Sequence, residues 1–183
     1  MDNIKSVIIG TIVTIIIGGT AYSIDQSDII KNFADDTGLT QEQAENYVKG
    51  IKDEELMTWK EIGSEMINAG QTITKVANEI DCINYEYSWE SVALSCSNAK
   101  KQANQLANSL ILLGSSYLKL DSDSASEGDI SQTIRLIDQV NSDIQLEFVI
   151  FFLGQPTIND FKKENSYNKA VLRSVLDTYY END

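Results

Sequence analysis

Residues 59–120 read WKEIGSEMINAGQTITKVANEIDCINYEYSWESVALSCSNAKKQANQLANSLILLGSSYLKL. Two apolar stripes run through this stretch. The first is Trp59, Ile62, Met66, Ala69, Ile73, Val76, Ile80 and Ile83. The second is Val92, Cys96, Ala99, Ala103, Leu106, Leu110, Leu113, Tyr117 and Leu120. Both step by alternating threes and fours, the spacing of one helical face. Residues that would face each other in an antiparallel pair have numbers adding to a near-constant value. Ile83 meets Val92, Val76 meets Ala99, Ala69 meets Leu106, Ile62 meets Leu113 and Trp59 meets Tyr117. Large residues often oppose small ones, which lets helices interdigitate. The stretch therefore predicts a helical hairpin, with long helices over about 53–84 and 90–120. Gly63 and Gly70 lie inside the first helix, where each costs about 1 kcal/mol against alanine, and predict close packing there.

Outward from the hairpin, the rest of the chain also reads as helical. It holds one proline, Pro156, and no long polar–apolar alternation. The expected fold class is all-α: an antiparallel up-down four-helix bundle, an N-terminal apolar signal or anchor helix, and short leading helices. Residues 1–24 form the signal or anchor, 25–52 a helical lead-in and 53–183 the bundle. The third and fourth long helices are expected over about 128–153 and 157–180. The third carries Ile130, Ile134, Ile137, Ile144, Phe148 and Phe151, interrupted by Asn141, and its end, Leu146 to Leu153, is apolar nearly all round. Gly154 and Pro156 mark its stop. The fourth turns Ile158, Phe161, Leu172, Val175 and Tyr179 inward, and its polar middle, Lys162 to Asn168, is expected to fray or break.

Residues Ser6 to Ile24 carry no charge. As a signal peptide, Val7–Ile17 is the apolar core and Ala21-Tyr22-Ser23 the small-x-small cleavage site. As an uncleaved anchor, the segment is just long enough to span a bilayer. Signal peptide and anchor alike put Lys5 on the cytoplasmic side and the domain outside it, in the periplasm or extracellular space; a buried helix of a soluble protein is the third reading. Past this segment, Ser27 to Asp36 predicts a short helix ending at Thr37-Gly38. Thr40 and Gln43 have capping-box spacing for a second helix, which Gly50 ends. Asp53 is the expected cap of the first long helix.

Cys82 and Cys96 flank the hairpin tip within about one helical turn of facing each other. In an exported chain this spacing favours a disulfide, closing a loop of about 15 residues and contributing about 3 kcal/mol; two free buried thiols are the alternative. Redox work would call for Cys-x-x-Cys. Tyr85, Tyr87 and Trp89 stand at the tip, where aromatic side chains cover the end of a bundle or anchor a partner. Asp121–Asp129 is an acidic linker. Its likeness to a calcium loop fails at Ala125 and at the missing turn glycine, so a solvated loop leading into a helix cap is expected.

The net charge is −14 and there is no histidine. An acidic surface repels phosphate backbones, so no nucleic-acid partner is expected. Lack of histidine removes the usual general base, the usual transition-metal ligand and Glu-x-x-His di-iron chemistry. No nucleophile arrangement or phosphate-binding glycine loop is present. The expectation is a non-enzyme without catalytic, cofactor or metal residues: a membrane-anchored or exported module that binds or scaffolds an unknown protein. A small-molecule-binding or sensor-type bundle is the alternative, and an acidic inhibitor or immunity-type protein the second.

Overall fold

A computed structural model describes residues 8–9, 12–51, 57–79, 82, 90–146 and 155–181. Three short strands lead, β1 (Ile8–Ile9), β2 (Ile12–Ile17) and β3 (Thr20–Asp25). Six helices follow among the described residues: α1 (Gln26–Thr37), α2 (Gln41–Gly50), α3 (Trp59–Glu79), α4 (Glu90–Leu120), α5 (Glu127–Asp143) and α6 (Gln155–Glu181). The chain is mostly helical, with one antiparallel sheet in the order β1-β2-β3.

The sheet corrects the N-terminal reading. The described part of the expected signal or anchor helix is strand. Its residues are largely β-branched, which suits a pleated surface better than a helix. Gly18 and Gly19 both take positive φ, 59° and 74°, the conformation of a type I′ two-residue hairpin turn. Ile17 pairs with Thr20, Ile15 with Tyr22 and Val13 with Ile24. Alternation then divides the faces: Val13, Ile15, Ile17 and Ile24 are buried in the same core as the helices, while Thr14 and Ile16 are only half-covered. Cleavage near Ala21–Ser23 would cut β3 in its middle. Among the described residues no helix is long and apolar enough to cross a membrane.

The lead-in helices form where expected, but they belong to the core. Asp25 caps α1, accepting from the Ser27 N–H at 2.8 Å, and Gly38 closes it at φ 70°. Thr40 and Gln43 make the predicted capping box on α2. Ile29 and Phe33 of α1 are fully buried. α1 packs along α6, and α5 lies on α6 beside it. Asn32 donates to Ser174 (2.9 Å), Arg173 donates to Asp36 (2.9 Å), and Lys169 bridges Asp36 (3.3 Å) and Asp138 (2.8 Å). The chief neighbours of α6 are thus α1 and α5, so the plain up-down four-helix arrangement gives way to a layer in which a lead-in helix and the sheet help close the core.

α3 starts at Trp59, where Thr58 accepts from the Glu61 N–H (3.2 Å) and Glu61 from the Thr58 N–H (2.8 Å); the expected cap, Asp53, lies outside the described residues. α5 ends at Asp143, ten residues before the expected end. Phe148, Phe151 and most of the apolar run 146–153 fall outside the description. Pro156 sits in the first turn of α6, a place that needs no N–H. The polar middle of α6 is unbroken helix, because Asn165 is buried and donates to Asn141 at 3.1 Å. Asn141, the interruption in the α5 stripe, is its partner across the interface.

α3 and α4 pack antiparallel as expected, with Trp59 stacked on Tyr117 at 5.5 Å and 6° between planes. The contacting face is rotated by one residue. A Cβ placed on Gly63 would lie 2.7 Å from the Gly114 carbonyl oxygen, and one on Gly70 would lie 2.6 Å from that of Ala107. The expected opposites were Ile62 with Leu113 and Ala69 with Leu106. Small residues thus face each other across the pair, while Ile62, Met66, Ile73, Leu106, Leu110 and Leu113 turn to the common core. Val76 consequently stands exposed.

Candidate interaction site

Among the described residues the α3–α4 pair runs on past the end of α5. Gln105 and Ser109 of α4 lie beside Asp143, the last residue of α5. α4 continues from Gln105 back to Glu90, a further ~22 Å at 1.5 Å per residue, and α3 runs alongside to Glu79. In this distal arm the described main-core residues stop at Ile73. Cys82 and Cys96 are bonded near its end, with Cα atoms 5.7 Å apart. The small-residue stripe at Gly63, Gly70 and Gly114 brings the helices close at the base of the arm, and the disulfide ties their distal ends. Tyr85, Tyr87 and Trp89 lie outside the described residues. On the arm's described surface stand Val76, Lys75, Ser97, Asn98 and Lys101, all exposed.

Among the described residues, the segment that the disulfide holds has little core of its own. Reducing it is expected to lower the arm's local stability by about 3 kcal/mol in the chain-entropy account. Hydrogen exchange should accelerate at residues 71–79 and 96–102, with amides of α5 and α6 unchanged. Equal acceleration throughout would show the bond to be a clamp on the whole fold.

Two interior polar clusters were not foreseen. Asp143 is buried, and its carboxylate accepts from Gln105 (2.6 Å), Ser109 (2.5 Å) and Gln139 (3.0 Å). Its donors come from α4 and α5 and fix how these helices align, a structural role. The sequence signal was an aspartate continuing the Ile130, Ile137, Val140 face. Tyr117 is the second: its hydroxyl is buried beside Asn168 without a hydrogen bond of good geometry, and burial pushes its ionisation well above the ordinary value.

A partly exposed aromatic and acidic cluster joins α1, α2 and α6. Phe33 stacks on Tyr47 at 4.9 Å and meets Tyr167 edge-on at 6.4 Å. Burial raises Tyr167 to about 12. Burial, with Glu164 and Asp160 nearby, raises Tyr47. Glu164 is itself raised, first by burial and then by the charges of Asp160 and Glu65. Such a carboxyl destabilises the fold once ionised. The penalty is present in full above its raised folded value and disappears below its unfolded value of 4.5. Glu164→Gln is therefore expected to raise the melting temperature at pH 7 by about 1–2 °C, solvent screening keeping the effect small. Below about pH 4 it should leave the melt unchanged. A loss of stability at pH 7 would show that Glu164 makes a favourable contact instead.

The acidic linker is a turn leading into the Ser126–Asp129 capping box of α5. It also receives the β-hairpin: the Gly18 N–H donates to the Leu120 carbonyl at 2.9 Å, and Gly18 lies against Ala125. Hydrogen bonds from Ser126 hold the Asp129 carboxyl below the usual range. Among the described residues no group of three or more acidic or cysteine side chains is arranged to hold a metal ion. No family model, curated protein or solved structure matches the chain.

Proposed function

We propose that this chain is a non-enzymatic protein-interaction module working in an oxidising, extracytoplasmic compartment, and that the α3–α4 arm is its contacting element. The observation that carries this reading is the arm itself. Two helices, brought to backbone contact by Gly63, Gly70 and Gly114, extend past the end of α5 and are tied near their tip by Cys82–Cys96. A projection with little core of its own contributes little to folding, whereas a rigid one loses little entropy on binding. The disulfide supports an oxidising compartment. Tyr85, Tyr87 and Trp89 fall between the two bonded cysteines in the sequence, and aromatic side chains of this kind serve as anchors for a partner.

The test is site-specific photo-crosslinking in the native setting. A photoreactive residue at Val76 or Asn98, both exposed on the arm, is expected to give a discrete higher-mass adduct. The same residue at Glu42, exposed on α2, should not. No adduct from either arm position, or equal adducts from all three, would overturn the assignment.

A further inference from the structure

Among the described residues the β-hairpin leaves one sheet edge without a backbone partner. In a two-residue hairpin the pair flanking the turn exchanges both backbone bonds, and bonded pairs then recur at every second position. Ile17–Thr20, Ile15–Tyr22 and Val13–Ile24 are therefore the bonded pairs of β2 and β3. The backbone groups of Ala21 and Ser23 point the other way. Among the described residues neither has a backbone partner on that side, and both are exposed. The opposite edge is occupied: β1 pairs with Ile12 and Val13, and the Ile16 carbonyl accepts from Trp59 Nε1 at 3.1 Å. Two of the usual guards of a free edge, lysine and proline, are missing from β3.

Carboxylates stand at both ends of this edge, joined at the turn end by Lys119, whose Nζ donates to Ser124 at 2.6 Å. Asp25 and Asp28 are exposed where β3 enters α1. At the turn, exposed Asp121 and Asp123 sit beside Gly18-Gly19, with Asp123 Oδ1 3.4 Å from where a Gly19 side chain would begin. We infer that β3 accepts an extended segment of a different protein as an added strand: an uncharged core flanked at both ends by lysine or arginine. Backbone groups of Ala21 and Ser23 supply the ladder, and the two acidic ends select the flanks. Six residues of strand span ~20 Å, which sets the separation of the basic flanks. A second copy of this chain is disfavoured, because each copy carries a net charge of −14. The inference shares with the proposed function only the premise that the molecule binds proteins, and it uses a surface other than the arm.

The test uses the full-length, isotopically labelled protein and a synthetic peptide of alternating threonine and valine between paired lysines. At ten times its dissociation constant the peptide should slow exchange of the Ala21 and Ser23 amides by about tenfold. A glutamate-flanked version should bind at least about tenfold more weakly, the sum of several exposed ion pairs. Methylating alternate backbone nitrogens of the lysine peptide should abolish binding. Ser23→Pro removes a donor that faces away from β2, so it should block the peptide while keeping the melt; if it unfolds the hairpin, the methylated peptide decides. Saturating peptide without protection at Ala21 and Ser23, or binding indifferent to methylation, would overturn the inference. Protection of those amides by the protein's own concentration, without peptide, would overturn it in favour of a second copy. Crosslinks through Val76 with a silent β3 edge would sink this inference and leave the proposed function standing.

Discussion

A chain beginning at Gln26 is expected to show no cooperative thermal transition. Deleting residues 1–25 removes Val13, Ile15, Ile17 and Ile24, exposed by 2%, 6%, 3% and 1%. Full burial of such a side chain contributes roughly 1.5–3 kcal/mol, so the four together contribute about 6–12 kcal/mol as an upper estimate. A domain's whole stability is typically about 5–15 kcal/mol. The deletion also removes the Asp25 cap of α1, the Gly18 N–H on the end of α4, and the Ile16 carbonyl that satisfies the Trp59 indole. Far-UV circular dichroism with a thermal ramp makes the measurement, and Ile15→Ala provides the graded version. That single change should keep the fold and lose about 2–5 kcal/mol by chemical denaturation. A deletion variant that melts sharply near the temperature of the full chain would mean that the segment is a dispensable leader, as its uncharged run first suggests.

The same hairpin shows where sequence reasoning ran out. A run such as Ile12–Ile17 is apolar at every position, so its pattern does not separate strand from buried helix or leader. Only the β-branched content and Gly18-Gly19 separate them, and the glycine pair serves a leader as well as a turn. Elsewhere the local chemistry was sufficient. Thr40 with Gln43 placed the start of α2, and the stripe from Val92 to Leu120 placed α4, because capping and face periodicity act within a few residues. The end of α5 and the continuity of α6 were not legible. Asn141 and Asn165 lie on different helices, and each looks like a helix fault until the other is set against it. The disulfide was legible because register along one hairpin brings Cys82 and Cys96 together. The open edge of β3 was not, since it exists only once a strand has been recognised. The tip aromatics Tyr85, Tyr87 and Trp89 remain a reading of sequence alone.

Filling the α3–α4 seam is expected to cost more than any single change to the arm's surface. In isolation, replacing a helical glycine by alanine favours the helix by about 1 kcal/mol. At Gly63 and Gly70 that gain is opposed by a contact no real Cβ makes. The new carbon would sit 2.7 Å from the Gly114 carbonyl oxygen in one case and 2.6 Å from that of Ala107 in the other. These obstacles are backbone atoms, which no change of rotamer can move, so the helices must separate. Forced overpacking typically costs about 1–3 kcal/mol per site. Two sites a heptad apart, roughly 10 Å along the axis, should add nearly independently. Gly63→Ala with Gly70→Ala is therefore expected to lower the unfolding free energy by about 2–6 kcal/mol, with the loss greater than the helix-propensity gain. Gly50→Ala is the control: nothing lies within 4 Å of its added carbon, so it should be neutral or slightly stabilising. Chemical denaturation of the two variants beside the unaltered chain decides the matter. If the seam variant proves as stable as the control, the two helices do not meet through their glycines, and the aliphatic stripes first read from the sequence are the true contact.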